Sequence, residues 1–244
     1  MPAGNRPAAE DDDGESAMAS TVRMADSSDM YMIHRLIRRE FAAIPGLVRA
    51  VPPGDRRRTA ELAGHVTMMT TLLHHHHTGE DELVWPKLLE RGPQEIAPLV
   101  ATMERQHHVV DRALTEVAER LAAWQRTAAV AEAGALAAAF DALLPPLLEH
   151  LDTEETHLLA LIDKYLTEKE WAQVAQAASA RTPKSQAPVG FGMALYEASP
   201  EHLRVIKDAL PGPLWFVMSR IGPRAYAKYA TRIHGTPTPA RSTV

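Results

Sequence analysis

Residues 66–86 read VTMMTTLLHHHHTGEDELVWP, and the spacing inside them decides the fold. Val66, Met69, Leu73, His76, Glu80 and Leu83 recur every three or four residues, the period of one face of an α-helix. His76 and Glu80 thus present an imidazole and a carboxylate on the same face, one turn apart. The pattern returns at residues 143–155, LLPPLLEHLDTEE, where Leu143, Leu147, His150 and Glu154 share a face. Each His-x-x-x-Glu is preceded by an isolated histidine. His34 lies 42 residues before His76, and His107 lies 43 before His150.

Outward from these two stretches, four long segments carry helical periodicity. They run from about Ser27 to Ala50, Asp55 to Glu90, Gln94 to Gln125 and Ala131 to Ile162. Val51-Pro52-Pro53-Gly54 and Arg91-Gly92-Pro93 supply breaks, and a third turn is expected near Arg126–Ala131. Pro86 predicts a kink or an early end, and Pro145-Pro146 a bend one turn before His150. Short connections between long amphipathic helices predict an all-α protein, an up-down-up-down four-helix bundle over residues 27–170. The sequence further suggests a disordered acidic segment over 1–26, a short helical C-terminal extension over 180–234 and a tail over 235–244. In the extension, two short amphipathic helices are expected around Pro211-Gly212-Pro213, with Arg220, Arg224, Lys228 and Arg232 on a basic face. The expected arrangement is an appendage packed on the bundle, with a membrane-surface or partner contact as the alternative.

Height along the bundle tests whether the repeated motifs share a site. Counted from the Gly92 turn, Glu80 is 12 residues back and His107 is 15 forward. Counted from residue 128, His107 is 21 back and His150 is 22 forward; from Gly54, His34 is 20 back and His76 is 22 forward. At about 1.5 Å per residue, these pairs are level to within roughly a helical turn. Four imidazoles and two carboxylates then converge: His34, His76, Glu80, His107, His150 and Glu154. Such a set exceeds what one tetrahedral zinc needs, and imidazole with carboxylate suits iron, manganese or zinc.

Composition narrows the classes further. The 244 residues contain no cysteine, which excludes disulfides, thiolate metal sites and iron–sulfur clusters. The net charge is −5, yet residues 181–244 hold nine Lys/Arg against three Asp/Glu, so the acidic excess belongs to the body of the chain. That balance argues against nucleic acid as a partner. No run of about 18 uncharged apolar residues predicts a transmembrane helix. The acidic Glu10-Asp11-Asp12-Asp13 replaces the basic flank of a secretory signal, so a cytoplasmic location is expected.

The pattern His34, His76-x-x-x-Glu80, His107, His150-x-x-x-Glu154 resembles the ligand pattern of the hemerythrin-like, or HHE cation-binding, family. The acidic run Glu80-Asp81-Glu82-Leu83-Val84-Trp85-Pro86 is similar to that family's, and Leu147–Glu155 to its second run. Ala160 stands where the family often has proline. The resemblance covers about residues 27–165 and points to members of bacterial type. It implies a four-helix bundle with a non-haem di-iron centre, oxo- or hydroxo-bridged, taking dioxygen, peroxide or nitrogen oxides as small ligands. Catalase-like or peroxidase-like turnover is implied for some members, and oxygen or iron sensing or storage is the alternative. The animal oxygen carriers use five histidines; four are placed here, and an open position favours chemistry over carriage.

Other residues compete for the site. His77-x-x-x-Asp81 is a rival pair one residue out of phase, but His76 continues Met69 and Leu73. His107 is favoured over His108 by the same phase argument. His65 is expected to be a structural histidine and Tyr31 a core aromatic, although either, like His77, is a conceivable extra ligand. His157 and Glu155 are expected on the flank, with Glu155 or Asp81 able to orient a ligand from behind.

Overall fold

The computed structural model describes residues 22–241. It is all-α, and among the described residues the only β pairing is an isolated antiparallel bridge between Met24 and Thr167. Four long helices make the bundle: α1 (Asp29–Arg49), α2 (Arg56–Leu83), α4 (Ala97–Thr127) and α5 (Val130–His157). Helices α1 and α2 pack together, as do α2 and α4, α4 and α5, and α5 and α1, which closes the ring.

The starts and stops have identifiable causes. Asp55 caps α2 by accepting the Arg58 amide at 2.9 Å. Proline has no amide hydrogen and its ring strikes the carbonyl four residues earlier. Pro86 accordingly sits in the first turn of a new short helix, α3 (Trp85–Arg91), after a break at Val84. Helix α4 ends on Ala128, which takes the left-handed conformation at φ 52°. The expected bend at Pro145-Pro146 is not where the chain is interrupted: α5 runs helically through both prolines. The interruption falls at Leu158, before α6 (Leu159–Tyr165). No proline stands there. Packing supplies the cause, because Leu158, Leu159 and Ile162 join Val84, Trp85 and Leu88 in one cluster.

That cluster is the smaller of two. The larger fills the bundle with Ile37, Phe41, Leu73, Val110, Phe140, Leu147 and their neighbours. Between the two lie His34, His76, His77, Glu80, His107, His150 and Glu154, a polar layer between two apolar clusters. By length and composition α5 is apolar enough to cross a membrane, with a mean hydropathy of 1.3 over its best window. Its Leu136, Phe140, Leu143, Leu147 and Leu151 are all in the bundle core.

The C-terminal part is more extensive than two short helices. Helix α7 (Glu168–Arg181), with a capping box of Thr167 and Glu170, packs on α2; α8 (Ala187–Glu197), α9 (Pro200–Ala209) and the 23-residue α10 (Gly212–His234) follow. It is an appendage packed on the bundle: Met193, Tyr226, Ala230 and Ile233 belong to the main core. Arg220, Arg224, Lys228 and Arg232 are exposed. The expectation of disorder over 1–26 lies mostly outside the described residues. At its end it is corrected: the Ala25 amide donates to Leu166 at 3.0 Å, and the Arg23 carbonyl accepts from Glu168 at 2.9 Å. The expected tail is also partly fixed, since the Tyr196 hydroxyl donates to the Pro239 carbonyl at 2.6 Å.

Candidate metal centre

All six residues picked out by spacing meet in the polar layer. His34 comes from α1, His76 and Glu80 from α2, His107 from α4, and His150 and Glu154 from α5. His34, His107, His150 and both glutamates are buried, and the His76 side chain is 10% exposed. His34 Nε2 lies 3.2 Å from His76 Nε2 and 3.3 Å from Glu154 Oε2. Glu80 reaches His76 Nε2 at 3.1 Å through one oxygen and His107 Nε2 at 3.4 Å through the other. Glu154 Oε2 is 3.8 Å from His150 Nε2.

His77 is the correction. Helical phase set it aside in favour of His76, but both imidazoles reach the layer. His77 is buried, stacks on His107 with centroids 4.1 Å apart and meets His150 edge-on at 4.8 Å. Five histidines therefore face inward, and the argument for an open position from a missing fifth imidazole no longer stands. Consecutive helical residues point about 100° apart. They can straddle the centre of a wide face, so both His76 and His77 reach the layer. The donors divide into two groups: His77, His107 and His150 in one, and His34, His76, Glu80 and Glu154 in the other. Within each group the donor atoms lie within 4.8 Å of one another.

The outer partners repeat as the inner ones do. Asp81, next to Glu80, accepts a hydrogen bond from His107 Nδ1 at 2.8 Å. Glu155, next to Glu154, accepts from His34 Nδ1 at 2.9 Å. Each bond makes Nδ1 the donor to a carboxylate and turns Nε2 toward the layer. Both carboxylates are themselves held. Arg38 donates to Glu155 at 2.6 Å and to Asp152 at 2.6 Å, and the Trp85 indole donates to Asp81 at 3.0 Å. The orienting role expected of Glu155 or Asp81 thus belongs to both.

Burial opposes charge throughout the layer, and local partners decide which groups resist it. At His34, burial is outweighed by Glu154 and Glu155, and the imidazole rises to about 9. At His107, Asp81 and Glu80 win against burial and raise it to about 10. His76, buried beside a charged His34, falls to about 3, and His150 falls to about 4. His77 falls well below its usual value by burial and then by the neighbouring imidazoles. Burial and the Glu154 charge push Glu80 up, whereas the imidazoles around Glu154 overcome burial and pull it down.

The fit to a metal is visible in what is left unpartnered. Both oxygens of Glu80 and of Glu154, both nitrogens of His77 and of His150, and Nε2 of His107 are buried with no hydrogen-bond partner among the described residues. Orphaned buried polar atoms are rare and cost roughly 1–3 kcal/mol each. Here they converge, and a cation would satisfy both carboxylates and one nitrogen of each imidazole together.

Of the remaining candidates, His108, His157 and His74 are exposed. Tyr31 is 39% exposed rather than a core aromatic. His65 is buried but belongs to a separate cluster. The signal for His77 lay in the sequence, in the alternative acid at Asp81, but one-face phase counting discards it.

A family model described as the hemerythrin HHE cation binding domain matches residues 26–162, more than half of the chain. The chain belongs to this family of helical, metal-binding domains. No curated protein and no solved structure gave a match.

Proposed function

We propose that the layer is the seat of a non-haem di-iron centre that binds dioxygen or reacts with peroxide or nitrogen oxides. The observation that carries this reading is the set of buried, unpartnered donor atoms, divided into a three-imidazole group and a two-imidazole group with both carboxylates. His77, His107 and His150 would hold one ion, and His34 and His76 the other, with Glu80 and Glu154 in reach of both. Mixed imidazole and carboxylate donors in this number suit iron better than a tetrahedral zinc. When bound, the iron pair supplies electrons to an oxygen or nitrogen-oxide ligand.

The chain's own residues govern access and orientation. The two-imidazole side has one imidazole fewer, and it also lies beside a cavity. His76 borders a cavity of about 410 Å³ lined largely by apolar side chains, among them Met30, Met32, Met68, Trp171 and Phe191. Such walls admit a small neutral molecule and disfavour ions. Glu155 and Asp81 hold the His34 and His107 rings so that each offers Nε2 inward, and outer partners of this kind typically contribute 10–100-fold in metal affinity.

Reversible binding, as an oxygen or iron sensing or storage module without turnover, is the second reading. The fifth imidazole favours it, because a fuller protein ligand set leaves fewer positions for chemistry. The deciding experiment is metal analysis with absorption spectra in reduced, oxygenated and peroxide-treated states. About two irons per chain and an oxygen-dependent spectrum are expected, and His77→Ala should lower the iron content. Peroxide consumption separates turnover from reversible binding. A full-length chain purified from iron-replete cells with no iron would overturn both readings.

A further inference from the structure

A second convergence of donor atoms lies farther along α1. Glu40 is six residues beyond His34, ~9 Å along the helix, and His65 is eleven residues before His76, ~16 Å along α2. Both are buried. His234, whose side chain is 7% exposed, closes the group from the last position of α10. Glu40 Oε2 lies 3.2 Å from His65 Nε2 and 3.1 Å from His234 Nε2, and the three donor atoms are mutually within 4.8 Å. None of the three makes a hydrogen bond to any described residue.

The far side of the cluster is built. Glu40 Oε1 accepts from Arg39 Nε at 3.0 Å and Nη2 at 2.6 Å, and Arg39 also pairs with buried Glu197. His65 Nδ1 is 2.9 Å from the Tyr229 hydroxyl. These partners turn Oε2 of the carboxylate and Nε2 of His65 toward each other. A carboxylate bonded by two imidazole N–H groups is the simpler arrangement, but neither contact has hydrogen-bond geometry.

We propose that Glu40, His65 and His234 form a second metal site, which takes one divalent transition-metal ion such as Zn²⁺ or Fe²⁺. Two imidazoles and one carboxylate are the protein ligands of mononuclear sites that keep a position free for water or substrate. Of the three, His234 also borders a surface cavity of about 510 Å³, lined by Arg38, Arg39, Thr236 and Arg241 among others. The Tyr229 hydroxyl and the Arg39 guanidinium would hold His65 and Glu40 in place from behind. Glu40 and His65 lie within residues 26–162 and His234 outside them, so the matched family domain alone does not complete the set. Its ion would fasten the end of α10 to α1 and α2.

The test compares metal content of the full-length wild type, His234→Ala and His65→Ala after Zn²⁺ saturation and removal of free metal, with helicity checked by circular dichroism. The wild type should hold one equivalent more than either variant, while His77→Ala should keep this equivalent. Should His65→Ala fail to fold, His234→Ala at the helix terminus and a crystal of Zn²⁺-loaded wild type carry the test. Anomalous density at the zinc edge is expected between Glu40 Oε2, His65 Nε2 and His234 Nε2. Equal zinc in wild type and His234→Ala, or an empty anomalous map at that point, overturns the site.

Discussion

Asp29 opens α1 with its carboxylate facing the Trp171 indole, which donates to it at 3.0 Å. Burial raises the carboxyl from 3.8 to about 6; the Trp171 bond opposes the rise and Asp26 adds to it. A carboxyl raised by folding binds its proton more tightly in the folded state. Its stabilising effect is therefore full below about pH 4 and is lost as pH climbs through about 6. Asp29→Asn keeps an oxygen for Trp171 and removes the charge. Thermal melts should show the variant more stable by about 1–2 kcal/mol at pH 7.5 and unchanged near pH 4; equal shifts at both would refute the assignment. At the same scale, sequence legibility is uneven. His34, Glu80, His107, His150 and Glu154 were readable because each continues an apolar stripe on its own helix. His77 was legible only as a conceivable extra ligand, because a stripe has one centre line whereas this layer takes two consecutive imidazoles from α2. Glu40 and His234 were unreadable for a different reason: they come together only through the docking of α10, which no local period encodes.

Among the elements, the long helices follow directly from three-and-four spacing, and Pro86 marks the end of α2. The break at Leu158 and the unbroken passage through Pro145-Pro146 reverse the local rule, because packing of α6 beside α3 and burial of α5 override it. The pairing of α8 with α10 depends on a similar non-local fit. A Cβ on Gly192 would lie 2.1 Å from the Gly222 carbonyl oxygen, so the two backbones touch where both residues lack side chains. Gly192→Ala must push the helices apart, at a cost of about 1–3 kcal/mol by the usual penalty for overpacking. Chemical denaturation should show the loss, and hydrogen exchange should rise in α8 and α10 while α4 and α5 stay protected.

For the whole molecule, two apolar clusters are separated by a layer in which both carboxylates and several imidazole nitrogens have no hydrogen-bond partner among the described residues. Metal that binds only the folded chain raises its stability by mass action, by about 4 kcal/mol at a thousandfold excess over its Kd. Chelation should accordingly lower the midpoint of thermal unfolding, and added Fe²⁺ should restore it in a concentration-dependent way. A midpoint indifferent to metal would mean that the layer is held together by protons alone. The crossed carboxylates carry one more consequence, for the newborn chain on the ribosome. Asp81, from the first helical pair, steadies His107 of the second, and Glu155 of the second steadies His34, 121 residues upstream. Synthesis delivers the N-terminal part first. His34, His76, His77 and Glu80 thus emerge long before the partner that aims His34. An ion caught by the half-made chain would meet imidazoles still free to turn, and the full set of oriented donors exists only once translation has passed residue 155.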